Sequence, residues 1–346
     1  MTIKIYMPNV NDGDAIIVHL KRSNEQQLVV LIDGGHGGDA KTITDILDPL
    51  LQSAGKTGPD LVICTHYDLD HIGGLKKIAA HYDEHIGEVW IHKPNLLTET
   101  IGLANFLKEQ QQLLVEKRDP EANAFKTAVL ANESEKHMDF VLESYIDMAE
   151  LVHYLEKLKV KVKEPFPDLK LRGWPEIKVL GPTLNFYNSK LDELKPKRIL
   201  LTEMKNMANE VLMEQSKSLS IEAKSALTPC QILDNKDKSG VTAVNQVSAI
   251  IEITVEGKKY LFTGDANIDS FENIPDYKNS LKNIYWLKVA HHGSNNNSNP
   301  ELIGIMSPKF AYISGKKHFD PEVQGCLESK GAVVKVTSKN GNLEFP

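Results

Sequence analysis

The stretch Cys64-Thr65-His66-Tyr67-Asp68-Leu69-Asp70-His71-Ile72-Gly73-Gly74-Leu75 places four metal-competent side chains, His66, Asp68, Asp70 and His71, inside six positions. It follows the apolar run Leu61-Val62-Ile63-Cys64 directly and so reads as a loop at the end of a buried strand. Clustered carboxylates repel one another and raise each other's pKa, whereas a divalent ion keeps them deprotonated and supplies the missing charge. A plainer reading, a solvated turn whose aspartates cap the next helix, accounts for Asp68 or Asp70. It does not account for two histidines at that spacing.

Working outward, Ala15-Ile16-Ile17-Val18-His19-Leu20 and Leu28-Val29-Val30-Leu31-Ile32 are β-branched apolar runs bounded by turn residues, as strands require. The second run enters the glycine-rich turn Asp33-Gly34-Gly35-His36-Gly37-Gly38, and a helix is predicted over Ala40 to Ala54. Gly74 to Ala80 can begin a helix after the metal loop, and Val89 to His92 reads as a strand. Helical spacing then takes over: 96–165 reads as a helical insertion, and Met204, Met207, Val211 and Leu212 mark a further helix. Ile177 to Leu180, Val247 to Val255, Lys259 to Thr263, Tyr285 to Ala290, Phe310 to Ser314 and Val333 to Thr337 are predicted strands, with a helix near Glu322 to Lys330. The turn Glu256-Gly257-Lys258 makes a hairpin of the second and third. One domain over 1–346 interrupted by the 96–165 insertion is the simplest organisation.

Two later segments repeat the pattern of strand followed by ligand. Tyr260-Leu261-Phe262-Thr263 runs into Gly264-Asp265, and Leu287-Lys288-Val289-Ala290 runs into His291-His292-Gly293-Ser294. Strand ends in an α/β layer converge on one rim, so Asp265 and His291 can face the 66–71 loop. Six ligands suffice for two ions with one shared carboxylate, and a pair roughly 3.5–4 Å apart can bind a hydroxide and stabilise charge on a phosphoryl or carbonyl oxygen.

The order His-x-Asp-x-Asp-His, Ile-Gly-Gly, Thr-Gly-Asp and His-His-Gly-Ser resembles the metallo-β-lactamase superfamily. More narrowly it is similar to the hydrolase domain at the C-terminus of bacterial DNA-uptake competence channels. Asp12-Gly13-Asp14-Ala15, Leu31-Ile32-Asp33-Gly34-Gly35, His318 and the tail Val336 to Gly341 also match in order. The likeness covers roughly residues 1–95 and 175–346. It implies the αββα sandwich of that fold, with the helical insertion added.

The resemblance also implies residue roles. His66 and Asp68 match ligands of a first metal, Asp70 and His71 match ligands of a second, and Asp265 matches the bridging carboxylate. His291, nearest the strand end, is the choice for the remaining ligand, with His292 a catalytic or substrate-contacting neighbour; the reverse assignment stays open. His318 matches a late histidine that contacts substrate or protonates the leaving group, and Asp70 is shared with the catalytic set. Asp33, Asn245, Ser294 and Lys317 are expected around the substrate or behind the ligands. Asp33 orients a ligand, and Asn245 stands about where the usual third-motif histidine would be.

The implied activity is that of a metal-dependent hydrolase, a phosphodiesterase or nuclease with a bridging hydroxide as nucleophile, acting on nucleic acid or a nucleotide-like substrate. Asp68 replaces the commoner histidine and hardens the first site, tilting the choice among zinc, manganese and magnesium away from zinc. The alternatives are a lactone or carboxyl-ester hydrolase of the same fold, and a metal-stabilised binding or regulatory protein whose insertion contacts a protein partner.

Bulk properties constrain this reading only loosely. Hydrophobic residues make up 41% and charged residues 25% of the 346, ordinary for a globular chain. The formal charge of −7 argues against a broadly basic nucleic-acid binder, though not against an enzyme with a local basic rim. The first residues do not read as a signal peptide, and no window suits a membrane helix, so cytoplasmic residence and no membrane partner are the expectation. Cys64, Cys230 and Cys326 are too scattered to suggest a disulfide framework. His19, His36, His81, His85, His92, His137 and His153 lack supporting spacing and read as core or surface residues.

Overall fold

The computed structural model describes residues 1–93, 147–191, 227–316 and 319–346. Two mixed sheets stack between helices. The seven-stranded sheet runs β13-β1-β2-β3-β4-β5-β6 and the six-stranded sheet β12-β11-β10-β9-β8-β7. The first contains β1 (Thr2–Met7), β2 (Ile16–Lys21), β3 (Gln27–Ile32), β4 (Leu61–Ile63), β5 (Glu88–Trp90), β6 (Lys161–Lys163) and β13 (Leu343–Phe345). The second contains β7 (Ile177–Gly181), β8 (Ile250–Val255), β9 (Lys258–Phe262), β10 (Ile284–Lys288), β11 (Phe310–Ile313) and β12 (Val333–Val336). This mixed α/β architecture, two sheets flanked by helices, is consistent with the expected sandwich.

Three apolar clusters account for the layering. Ile5, Ile16, Val18, Val30 and Ile63 from one sheet meet Ile251, Phe262 and Trp286 from the other, forming the core between the sheets. The alternate residues of the first sheet, Ile17, Val29, Leu31 and Val62, pack outward against Ile43, Leu47 and Leu51 of α1 (Ala40–Ser53) and Ile78 of α3 (Leu75–Tyr82). On the far side Leu261, Leu287 and Ala311 meet Leu302, Ile303, Val323 and Leu327. Period-two alternation thus sends each strand's side chains into two different cores.

Topology then fixes where the loops go. β3, β4 and β5 are parallel, with Ile32 beside Ile63 and Ile63 beside Trp90. β9, β10 and β11 are likewise parallel. The carboxyl ends of both parallel halves open on one rim, carrying Asp33, His66, Asp265, His291 and His292.

The predicted strands and helices in the described residues are present, with ends shifted by a few positions. The helix Ala243–Gln246 takes residues directly before the expected Val247–Val255 strand, which starts at Ile250. Of the 96–165 insertion, 94–146 lie outside the described residues. Residues 147–157 are helical, whereas Lys161–Lys163 pair with β5 as an edge strand. The helix marked by Met204 to Leu212 also lies outside them. Cys230 and Cys326 form a disulfide joining the helices Pro229–Asp234 and Pro321–Ser329, a correction to the expectation of none: 96 positions of separation conceal two helices that pack together. Among the described residues no helix is long and apolar enough to cross a membrane.

Candidate metal centre

The loop after β4 carries Thr65 and His66 off the strand end, and the short helix α2 (Leu69–Ile72) turns Asp70 and His71 back toward it. Glycine is needed behind this loop, since a Cβ on Gly74 would lie 1.9 Å from the Gly34 carbonyl oxygen. The second sheet contributes Asp265 through Gly264, which has φ +51° and lies so close to Thr65 that a Cβ would meet its Oγ1 at 2.8 Å. His291 and His292 follow β10 with φ of 47° and 52°. Each such conformation costs a histidine on the order of 1–3 kcal/mol, so it persists only where the surroundings enforce it. Here His291 N–H donates to the Gly264 carbonyl at 3.2 Å, and Ser294 N–H donates to the His291 carbonyl at 2.8 Å.

The carboxylates and the imidazole Nε2 atoms converge. His71 Nε2 lies 3.3 Å from Asp265 Oδ1 and 3.7 Å from Asp70 Oδ2. His292 Nε2 lies 3.1 Å from Asp70 Oδ2 and 3.4 Å from Asp265 Oδ2. On the other side of Asp265, Oδ2 is 3.7 Å from His291 Nε2 and 3.9 Å from His66 Nε2, which is itself 3.7 Å from Asp68 Oδ2. Asp265 therefore stands between Asp70, His71 and His292 on one side and His66, Asp68 and His291 on the other.

All four imidazoles are anchored through their other nitrogen. His71 Nδ1 is 2.9 Å from Asp33 Oδ2, and His292 Nδ1 is 2.8 Å from the Ser314 carbonyl. His291 Nδ1 is 2.8 Å from Asn297 Oδ1, whose amide nitrogen donates to the Asp265 and Ala266 carbonyls. His66 Nδ1 is 3.1 Å from Thr65 Oγ1, whose hydroxyl donates to Asp33 Oδ2 at 2.7 Å and so accepts from the ring. Each acceptor places the ring proton on Nδ1 and turns Nε2 to the centre, the arrangement metal-ligating histidines use.

Charge explains why the cluster needs a cation. Burial alone raises the Asp265 carboxyl, but His71, His292 and His291 outweigh it and hold the group well below the usual carboxylate range. Burial likewise opposes the charge on His292, yet Asp265, Asp70 and Asp14 push it up to about 10. His71 is raised well above its ordinary value, because Asp265, Asp70 and Asp33 overcome burial. His66 Nε2, His71 Nε2 and Asp265 Oδ1 are buried and make no hydrogen bond among the described residues, so the donor set fits a metal ion.

Two groups of histidine and aspartate bring their donor atoms close together. Asp70, His71, Asp265 and His292 form one, and Asp14, Asp33 and His71 the other. His292 lies in the first group, and His291 stands on the other side of Asp265. Asp33 sits behind His71. Ser294 is buried beside His291, and Asn245 lies in the helix Ala243–Gln246 with its Oδ1 buried and unbonded among the described residues. His318 and Lys317 lie outside the described residues. His92 is buried between Phe166 and Tyr187, and burial pushes it down to about 3, a neutral core residue.

Five participants were not read as such from sequence. Thr65, Asn297 and Ser314 anchor imidazoles, and Asp14 and Lys288 form a fully buried ion pair behind the centre. Asp14 lies in a matching motif that also reads as a tight turn. Asn297, in a run of asparagines, resembles ordinary loop sequence.

Residues 21–147, which hold the 66–71 loop, match the model of the metallo-beta-lactamase superfamily. No curated protein matches the chain. The family match and the histidines and aspartates gathered around Asp265 together support a metal-dependent hydrolase of this fold and are consistent with a dinuclear centre.

Proposed function

We propose that the protein hydrolyses phosphodiesters, with nucleic acid or a nucleotide-like molecule as substrate and manganese or zinc as its ions. The observation that carries this reading is the donor set around Asp265, in which Asp68 and Asp70 stand among the imidazoles. Hard oxygen donors suit ions that bind phosphoryl oxygens, and the similarity to the hydrolase domain of competence channels points the same way. Magnesium is the harder alternative.

Divalent ions bound there polarise a phosphoryl oxygen and make water acidic enough to act near neutral pH. The chain supplies the rest. Asp70, His71, Asp265 and His292 would hold one ion, and His66, Asp68 and His291 lie on the other side of Asp265, where they would hold a second. Asp33, Thr65, Asn297 and Ser314 fix the four rings, so little reorganisation is needed when substrate binds. Asp68 and Asp70 remain partly exposed, with 24% and 18% of their side chains accessible, and mark the side from which substrate enters.

The test is a screen of manganese- and zinc-loaded protein against bis(p-nitrophenyl) phosphate, single-stranded DNA, RNA and a lactone. Cleavage of the phosphodiesters that disappears in Asp265→Ala supports the proposal. Stoichiometric metal with intact phosphodiesters and a hydrolysed lactone would replace it with ester chemistry.

A further inference from the structure

Lys288, on β10, has no accessible surface, and its ammonium pairs with the Asp14 carboxylate. It also lies 3.4 Å from the Gly264 carbonyl oxygen, to which it donates, and 3.9 Å from Asp265 Oδ1. Asp14 belongs to the second His/Asp group, which shares His71 with the first. A cation therefore already stands at this group, supplied by the protein itself.

The position of the pair has a further consequence. Asp14 N–H donates to the Asp70 carbonyl at 3.0 Å, and Gly35 N–H donates to the Asp14 carbonyl at 2.7 Å, so the Asp14 loop is tied to the ligands of the first sheet. From the second sheet Lys288 meets Asp14, Ser314 Oγ donates to the Gly13 carbonyl, and Lys316 N–H donates to Asp12 Oδ1 at 2.5 Å. Ser314 also holds His292 through its carbonyl. The Asp12-Gly13-Asp14 turn is thus clamped between the sheet that carries Asp70 and His71 and the sheet that carries Asp265 and His292.

We propose that Lys288 is the resident cation of the Asp14/Asp33/His71 group: it keeps divalent ions out of that group and, through Asp14, sets the two halves of the metal centre against each other. A buried lysine between carboxylates neutralises them as an ion would, but its reach is fixed by the strand that bears it. Lys288 is therefore a positioning residue, and this role is independent of which substrate is cleaved.

The test joins metal counting to a double-mutant cycle on Asp14→Asn, Lys288→Met and the combined variant. Asp14→Asn keeps the wild-type number of bound manganese ions, because its partner is a lysine. In the metal-free protein each single variant lowers Tm by roughly 5 °C or more by leaving one buried charge unpaired, and the combined variant recovers most of that loss. Manganese affinity, read by chelator competition, stays roughly 10-fold or more below wild type in the combined variant, since the clamp is still missing.

Loss of one manganese ion in Asp14→Asn would overturn the proposal, as would Tm losses that simply add. Recovery of affinity along with stability would reduce the pair to a structural one. Should Lys288→Met not fold, Asp14→Asn and the combined variant still decide the ion count and the affinity. A wild-type protein that binds no manganese would refute the metal centre itself, while the metal-free cycle would still read the pair.

Discussion

Asp33 holds His71 through a 2.9 Å contact between its Oδ2 and the ring Nδ1. The same carboxylate accepts from Thr65 N–H and Thr65 Oγ1, both at 2.7 Å, so one aspartate orients two imidazoles, His71 directly and His66 through Thr65. Asp33 adopts φ 58°, a conformation that aspartate tolerates better than most residues. Replacing it with asparagine turns an NH2 group toward donors. Asp33→Asn is expected to weaken divalent-ion affinity about 10–100-fold, the usual range for an outer-shell partner, as measured by chelator competition.

Asn297 ties His291 to the backbone of Asp265 and Ala266. Asn297→Ala should weaken manganese binding about 10-fold while leaving the fold intact, the low end of the same range because His291 retains its backbone hydrogen bonds. Isothermal titration calorimetry with manganese checks it.

The histidine shifts predict a pH dependence with a definite sign. His292 rises from an ordinary 6.5 to about 10 in the metal-free fold. Its contribution to metal-free stability is therefore complete below pH 6.5 and disappears as pH rises through about 10. A divalent ion must displace that proton, so loading at pH 8 releases protons and affinity increases with pH over this window. Calorimetry in buffers of different ionisation enthalpy should show proton release; equal apparent enthalpies in all buffers would contradict it.

Gly74 faces the Gly34 carbonyl with no room for a methyl group, since a Cβ would lie 1.9 Å from that oxygen. Both flanks are backbone, and neither can move without dragging the metal loop. Gly74→Ala should cost about 3 kcal/mol or more, seen as a lower urea midpoint.

How much of this was legible in the sequence depended on how local each relationship is. The 66–71 loop could be read as a cluster because its four candidate donors fall within six positions, and Asp265 and His291/His292 could be set beside it because each follows an apolar strand. β1, β6 and β13 went unread: β1 does alternate, burying Ile3, Ile5 and Met7, whereas the other two are only three residues long, Lys161-Val162-Lys163 and Leu343-Glu344-Phe345. Lys288 looks like an ordinary polar alternation in a strand, and only the stacking of two sheets shows that its face is buried against Asp14. The same holds for Asn297 and for the pairing of Cys230 with Cys326, which depend on helices and loops meeting across the fold. That His291 and His292 both take positive φ and both reach Asp265 is announced by nothing in His-His-Gly-Ser.

The metal content of the native protein and of Asp265→Ala, determined by mass spectrometry of both after identical purification and manganese loading, tests the metal centre most directly. The wild type should carry one to two divalent ions per chain by the ligand logic of a shared carboxylate (about that range), and Asp265→Ala, folded by circular dichroism, should lose them. Equal metal content in the two proteins, or none in either at saturating manganese, would contradict a centre built around Asp265.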